Sequence, residues 1–126
     1  MTRMMVSVAD MRKLGLGKAV KKHCSFRSLL EREYAEYLQV QKLARAIVAW
    51  RYEPFSLKLA DGVRYIPDFS VLFFDNVIEL VEVKGPFVRD AGRIKFRVAV
   101  EQFPEFAWCW AQKTKDGWAF ERTPRR

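Results

Sequence analysis

Two apolar, β-rich runs separated by a short polar break constrain the fold of this chain most strongly. The runs are Val63–Phe73 and Val77–Lys84, and Asp75 and Asn76 stand between them. Val, Ile and Phe favour strands, whereas Asp and Asn favour tight turns because their side chains hydrogen-bond the local backbone. The pattern therefore predicts a hairpin of two antiparallel strands that bury their apolar side chains.

A helix is predicted on each side of this hairpin. The first covers Ser28–Ala49, where Ser28 and Glu31 match the S-x-x-E capping box and apolar residues recur at helical spacing. The second covers Arg89–Phe103 and ends before Pro104, which cannot continue a helix. Each helix carries an apolar stripe, so each is expected to pack against the sheet.

Three further strands complete the predicted core. Trp50–Leu59 contains Pro54, which predicts an edge position or a bend, and Asp61–Gly62 predicts the turn that leads into the hairpin. Phe106–Ala111 and Trp118–Glu121 follow the second helix as strands. The order α-β-β-β-α-β-β predicts an α/β fold with a mixed sheet flanked by helices.

Length and composition favour one folded domain. The chain has 126 residues, half of them hydrophobic, which is enough for a core without disulfides. We assign residues 1–24 to a basic arm, 25–121 to the folded domain and 122–126 to a basic tail. The two cysteines match no metal-ligand spacing, and no apolar run reaches the roughly 18 residues of a membrane span. We therefore expect a cytoplasmic protein with no membrane association.

The charge balance favours a polyanionic partner. Lys and Arg number 23 against 15 Asp and Glu, a formal net charge of +8, which suits nucleic acid better than a membrane. The residues predicted to contact DNA phosphates are Lys18, Lys21, Lys22, Arg27, Arg89, Arg93, Lys95 and Arg97. Arg93 and Arg97 are four residues apart, which predicts a basic face opposite the stripe that contains Phe96. The alternatives are an arm without contacts and a merely solvated helix face.

Three charged residues interrupt the apolar hairpin. Glu82 and Lys84 are two residues apart on the second strand, so their side chains point to the same face. Asp68 lies on the first strand, at nearly the same distance from the turn as Glu82. Ideal antiparallel pairing would bring these two carboxylates together at one end of the sheet, with the Lys84 ammonium beside them.

Such a cluster suits phosphodiester chemistry. Two adjacent carboxylates repel each other, and burial increases the cost of ionising both. Mg²⁺ relieves that repulsion, since it takes one or two carboxylates together with water and phosphate oxygens. The ion lowers the pKa of a bound water, and Lys84 would orient the attacking water or stabilise the charge of a phosphorane-like transition state. The alternative for Glu82 and Lys84 is an exposed ion pair at a strand edge.

The residues of this cluster resemble a known signature. Pro67-Asp68 followed by Glu82-Val83-Lys84 is similar to the PD-(D/E)XK motif of nucleases. The neighbouring segments resemble the phage endonuclease I family of Holliday-junction resolvases, over roughly residues 25–112. The segments that carry this resemblance are "SFRSLLE" at Ser25–Glu31, "YIPDF" at Tyr65–Phe69, "VEVKG" at Val81–Gly85 and "EQFPEF" at Glu101–Phe106.

The resemblance implies a fold, a reaction and a set of site residues. The fold would be a restriction-endonuclease-like core, and the reaction would be metal-dependent cleavage of four-way or branched DNA by a homodimer. Mg²⁺ would be the cofactor, with Mn²⁺ as a substitute. The implied catalytic residues are Glu31, Asp68, Glu82 and Lys84. The implied metal ligands are Asp68, Glu82 and the Val83 carbonyl.

Alternatives stay open at two levels. The capping box explains Glu31 as well as a catalytic role does, and Glu33 and Glu36 on the same helix compete for its place. For the whole chain, a transposase-type endonuclease subunit or another PD-(D/E)XK nuclease has a similar layout. From a different class, the chain could be a basic DNA-binding domain without catalysis.

Overall fold

The computed structural model describes residues 26–87 and 90–124. Within these residues it has two helices and seven strands in the order α1-β1-β2-β3-β4-β5-α2-β6-β7. The elements are α1 (Leu29–Leu43), β1 (Ala49–Tyr52), β2 (Leu57–Ala60), β3 (Val63–Tyr65), β4 (Phe69–Leu72), β5 (Ile78–Lys84), α2 (Asp90–Gln102), β6 (Ala107–Thr114) and β7 (Gly117–Thr123). Neither helix has the length and apolar character needed to cross a membrane. The predicted arm, residues 1–24, lies outside the described residues.

Five of the strands form one mixed sheet. Their order across the sheet is β1-β4-β5-β6-β7, while β2 and β3 form a separate two-stranded sheet. The β5–β6 pair is parallel, and α2 provides the crossover between these two strands. The other ladders of the large sheet are antiparallel. The predicted α/β fold with a mixed sheet and two helices is confirmed.

The two helices pack on opposite faces of this sheet. Leu80 and Val81 are consecutive residues of β5 and are both fully buried, but they belong to different apolar clusters. Val81 packs in the cluster that contains Leu38 of α1, and Leu80 packs in the cluster that contains Phe96 of α2. Because side chains alternate across a strand, the central strand is covered on both sides. Its carboxyl end is thereby held in a fixed position.

Helix α1 is shorter than predicted. It ends at Leu43, and Arg45 then takes a φ of 60°, in the left-handed region that stops a helix. The backbone N–H of Ala46 donates to the Gln41 carbonyl in this closing turn. The N–H of Val48 already donates to the Leu72 carbonyl of β4, so the last part of the predicted helix leads into the sheet.

Two predicted strands are each interrupted. Val63–Phe73 is divided into β3 and β4, which belong to different sheets, because the chain turns at Pro67, which has no N–H to donate to a ladder. Trp50–Leu59 is divided into β1 and β2 around Glu53, whose φ is 44°, and Pro54. The predicted bend at the proline is confirmed, but the element order contains two more strands than expected.

Both predicted hairpin turns are present. Gly62 has a φ of 74° between β2 and β3, a conformation that glycine adopts without strain. Asn76 has a φ of 66° between β4 and β5, and the Asp75 carboxylate accepts a hydrogen bond from the N–H of Val77. The prediction of a basic tail over residues 122–126 is partly wrong, because β7 runs to Thr123 and residues 122 and 123 belong to the sheet.

Candidate active site

The hairpin register brings Asp68 and Glu82 together. Phe69 pairs with Val81 in the β4–β5 ladder, so the residue before β4 lies opposite Glu82. One oxygen of Asp68, Oδ2, accepts a hydrogen bond of 2.8 Å from the N–H of Val83. Asp68 is 5% exposed and Glu82 is 8% exposed. The predicted proximity of these two carboxylates is confirmed, while their chemical roles stay predictions.

The electrostatics of this pair are unfavourable to full ionisation. Burial, followed by the charge of Glu82, raises the pKa of Asp68 to about 8, and the hydrogen bond from the Val83 N–H offsets only part of that rise. At neutral pH the two carboxyl groups therefore hold a proton that an exposed pair would have lost. A bound cation would remove the need for that proton.

Glu82 is held from both sides. Its Oε1 accepts a hydrogen bond of 2.5 Å from the Tyr65 hydroxyl, and its Oε2 lies 3.4 Å from the Lys84 ammonium. Burial and the charge of Glu82 raise the pKa of Tyr65 far above its ordinary value, so the hydroxyl stays a neutral donor. The Lys84 side chain is about one-third exposed and also lies 6.0 Å from the centre of the Trp110 ring. Lys84 therefore reaches both the carboxylate and the solvent.

Glu31 belongs to the capping box of α1 and also lies near the acidic pair, while its catalytic role stays a prediction. Ser28 caps α1: its Oγ accepts a hydrogen bond from the N–H of Glu31 and donates to Glu31 Oε1 at 3.0 Å. The other oxygen, Oε2, accepts a hydrogen bond of 2.6 Å from the Tyr52 hydroxyl. Glu31 is buried, and its charge contributes to the raised pKa of Asp68. The capping glutamate thus also faces the acidic pair.

The competing glutamates of α1 are engaged elsewhere. The Glu33 carboxylate lies 3.1 Å from the Lys113 ammonium, and the Glu36 carboxylate lies 3.6 Å from Arg32 in an i, i+4 ion pair. Neither contact involves the Asp68–Glu82 pair. Of the three glutamates, Glu31 is the one that the fold directs to the end of the sheet.

Arg27 lies across the acidic residues. Its Nη2 is 3.5 Å from Asp68 Oδ1, and its Nε is 3.6 Å from Glu53 Oε1 and 3.8 Å from Glu31 Oε2. The Arg27 side chain is 64% exposed. This arginine was predicted to contact DNA; its side chain lies beside the carboxylates, and a contact with DNA stays a prediction.

The predicted basic face of α2 is only partly present. Arg93 donates to the Glu121 carboxylate at 2.6 Å, and its guanidinium lies 4.5 Å from the centre of the Trp110 ring. The reason is helical spacing: Arg93 precedes buried Phe96 by three residues and so shares its side of the helix. The prediction that Arg93 and Arg97 form one outward face is therefore wrong. Of the three described α2 residues that were predicted to contact DNA, Lys95 and Arg97 are exposed and Arg93 is not.

Four other residues predicted to contact DNA lie outside the described residues: Lys18, Lys21, Lys22 and Arg89.

The donors available for a metal are few. Among residues 26–87 and 90–124, no three His, Cys, Asp or Glu side chains converge closely enough to hold an ion by themselves. The carboxylates of Asp68 and Glu82 form a buried pair, and the backbone carbonyl of Val83 follows directly in β5. Such a set fits Mg²⁺, which takes one or two carboxylates and completes its shell with water. It does not fit zinc, which favours four side-chain ligands with nitrogen or sulfur donors.

Sequence reasoning missed the two tyrosines of the site. Tyr65 contacts Glu82, which lies 17 residues further along the chain. Tyr52 reaches Glu31 because β1 pairs with β4, and that pairing sets Tyr52 opposite Phe69. The polar hydroxyls of these residues give no distinctive pattern in the sequence. Only the strand pairing places them at the carboxylates.

No protein-family model, no curated protein and no solved structure matches this chain. The functional assignment therefore depends on the geometry of the site and on the sequence resemblance described above.

Proposed function

We propose that the protein is a metal-dependent endodeoxyribonuclease that hydrolyses phosphodiester bonds in branched DNA, in the manner of a Holliday-junction resolvase. The observation that carries this proposal is the buried pair of Asp68 and Glu82 with Lys84 beside it. A pair of buried carboxylates in contact is costly in a purely structural role. The mixed sheet with one helix on each face is compatible with a restriction-endonuclease-like core.

The metal in this proposal is Mg²⁺, with Mn²⁺ as a substitute. Asp68, Glu82 and the carbonyl of Val83 would hold it. When bound, the ion supplies a Lewis acid and lowers the pKa of a coordinated water towards neutrality.

The side chains around the carboxylates have distinct tasks in the proposed reaction. The Lys84 ammonium, 3.4 Å from Glu82 and partly exposed, would donate to a non-bridging oxygen of the scissile phosphate. Tyr65 keeps one Glu82 oxygen fixed, so the second oxygen stays directed at Lys84. Glu31, fixed by Ser28 and Tyr52, adds a third negative charge that would help to hold the ion.

The rest of the chain would bind the DNA backbone. The net charge of +8 and the exposed Lys95 and Arg97 provide sequence-independent contacts to phosphates. A four-way junction requires two symmetric incisions, and one site of this kind cuts one strand, so the proposed unit is a homodimer. Its proposed location is the cytoplasm.

A second candidate is a basic DNA-binding domain without catalysis. The observation in its favour is that the acids already have partners of opposite charge, Arg27 and Lys84. In that case the cluster would be a network of ion pairs that stabilises the end of the sheet, and no divalent ion would bind.

One assay separates these functions. The protein is incubated with a synthetic four-way junction, or with linear duplex made from the same arm sequences, in Mg²⁺, Mn²⁺ or EDTA. The proposal expects paired nicks near the branch point, dependent on the ion and absent from the linear duplex. Equal cleavage of both substrates indicates a general or transposase-type nuclease. An intact junction with bound protein indicates the module without catalysis and refutes the proposal.

A further inference from the structure

The contacts of Arg27 differ from those of a locked salt bridge. Charge-assisted hydrogen bonds between guanidinium and carboxylate usually measure about 2.7–2.9 Å. The three contacts of Arg27 with Asp68, Glu53 and Glu31 measure 3.5, 3.6 and 3.8 Å. The Arg93–Glu121 contact of the same chain measures 2.6 Å. Arg27 is thus shared loosely among several acids rather than committed to one.

The surroundings of Arg27 also favour displacement. Its side chain is 64% exposed, and ion pairs at such exposure contribute little, about 0–1 kcal/mol each. Two of the three carboxylates beside it, those of Asp68 and Glu31, are buried, so their need for a positive charge is large. Its backbone is anchored, since its N–H donates to the Tyr52 hydroxyl at 3.1 Å. The side chain can therefore leave the acids while its attachment point stays beside them.

We propose that Arg27 is an internal counterion of Asp68 and the neighbouring Glu31 and Glu53, that a divalent cation bound at the Asp68–Glu82 pair displaces it, and that the released guanidinium then binds a DNA phosphate. This inference depends on the proposed function. Without the ion, the guanidinium offsets part of the negative charge of the acids and is withheld from DNA. With the ion in place, the acids no longer attract it, and its planar fork is free to bind a phosphate through two hydrogen bonds.

The exchange has a thermodynamic consequence. The cation releases Arg27 for DNA, and DNA draws Arg27 away from the acids that bind the cation. The two ligands should therefore raise each other's affinity by the same factor. If Arg27 had only a structural role, its removal would loosen the carboxylates and so weaken the binding of the cation. The sign of the change in cation affinity therefore separates the two roles.

The first experiment measures cation binding without DNA. Isothermal calorimetry with Mg²⁺ and with Mn²⁺ is carried out on the wild type, Arg27→Gln and Arg27→Lys. We expect Arg27→Gln to bind the ion about 10-fold more tightly, and Arg27→Lys, which keeps the charge and protects folding, to fall between the two. The matched control is Arg32→Gln, because Arg32 forms a similar 3.6 Å ion pair with Glu36 on the same helix. This control should leave the cation affinity unchanged.

The second experiment measures the coupling to DNA. Fluorescence anisotropy gives the junction affinity in EDTA and in Ca²⁺, and gel electrophoresis of each sample confirms that the DNA is intact. We expect Ca²⁺ to raise the affinity of the wild type and of Arg32→Gln about 10-fold, and that of Arg27→Gln less than 2-fold. Cation affinity that is equal or lower in Arg27→Gln, or full Ca²⁺ dependence in that variant, overturns the inference alone. Absence of cation binding in every variant overturns the proposed function and the inference together.

Discussion

Replacing Asp68 by asparagine should stabilise the metal-free protein at alkaline pH. Burial and the charge of Glu82 raise the pKa of Asp68 to about 8, whereas a carboxyl group in the unfolded chain titrates near pH 4. Between these values the folded state keeps a proton that the unfolded state has released. The free energy of unfolding therefore falls as the pH rises through this interval and reaches its lower level above about pH 8.

The expected size follows from this difference in pKa. At about 1.4 kcal/mol for each tenfold change in equilibrium, a rise in the pKa from about 4 to about 8 sets an upper limit of roughly 6 kcal/mol. The side-chain amide introduced by Asp68→Asn retains a carbonyl oxygen for the N–H of Val83, which lies 2.8 Å from Asp68 Oδ2, and its NH₂ group can donate to Glu82. The variant loses the 3.5 Å contact with Arg27, which offsets part of the gain. We expect a net stabilisation of about 2 kcal/mol at pH 9, or roughly 5–10 °C in Tm.

Urea unfolding in EDTA at several pH values between 5 and 9 measures this effect. The difference between Asp68→Asn and the wild type should grow steadily with pH and stop growing near pH 8. Glu33→Gln is the control, because Glu33 pairs with Lys113 at the surface and should show no such increase. A difference that stays constant over this range, or a variant less stable than the wild type at pH 9, refutes the reasoning.

Three further predictions concern neighbouring residues. Lys84→Ala should lower junction cleavage at least 100-fold while changing junction affinity less than 3-fold, as measured by single-turnover cleavage and anisotropy. Retention of near wild-type turnover contradicts its role. Tyr65→Phe removes the hydroxyl that holds buried Glu82, so it should cost about 1–2 kcal/mol of stability in urea and lower cleavage about 10-fold; unchanged values for both contradict this. Arg97→Gln should weaken junction binding and reduce the salt dependence of that binding. The Arg93 side chain is bound to Glu121, so Arg93→Gln should destabilise the fold with little effect on junction binding. The reverse ranking in anisotropy at two salt concentrations contradicts this assignment.

The hairpin was predictable because its information is local. Asp75 and Asn76 mark the turn, and the period of two fixes which side chains face each other across the ladder. These two facts bring Asp68 to Glu82 without any knowledge of the rest of the fold. The same reasoning did not reveal the break at Pro67, because the apolar run continues on both sides of the proline.

The remainder of the site depends on pairings between distant segments. Tyr52 reaches the site through the pairing of β1 with β4, and Arg27 reaches it from the residues that precede α1. A propensity argument cannot supply such contacts, since they depend on which strands become neighbours. The error at Arg93 is of another kind. Its three-residue spacing from Phe96 places Arg93 on the buried side of α2, whereas its four-residue spacing to Arg97 says nothing about which side is buried.

The candidate site also depends on the central strand that carries it. Residues 80–83 of β5 are buried, with one helix on each face of the sheet, so the backbone that carries Glu82 has little freedom to move. Tyr65 at the end of β3 donates a hydrogen bond to Glu82, and Tyr52 at the end of β1 donates one to Glu31. The acids are therefore brought together by tertiary packing, and the repulsion between them is overcome by the hydrophobic burial of the sheet. A cation that binds this pair would bind only the folded state, so its affinity would appear directly as added stability of the fold.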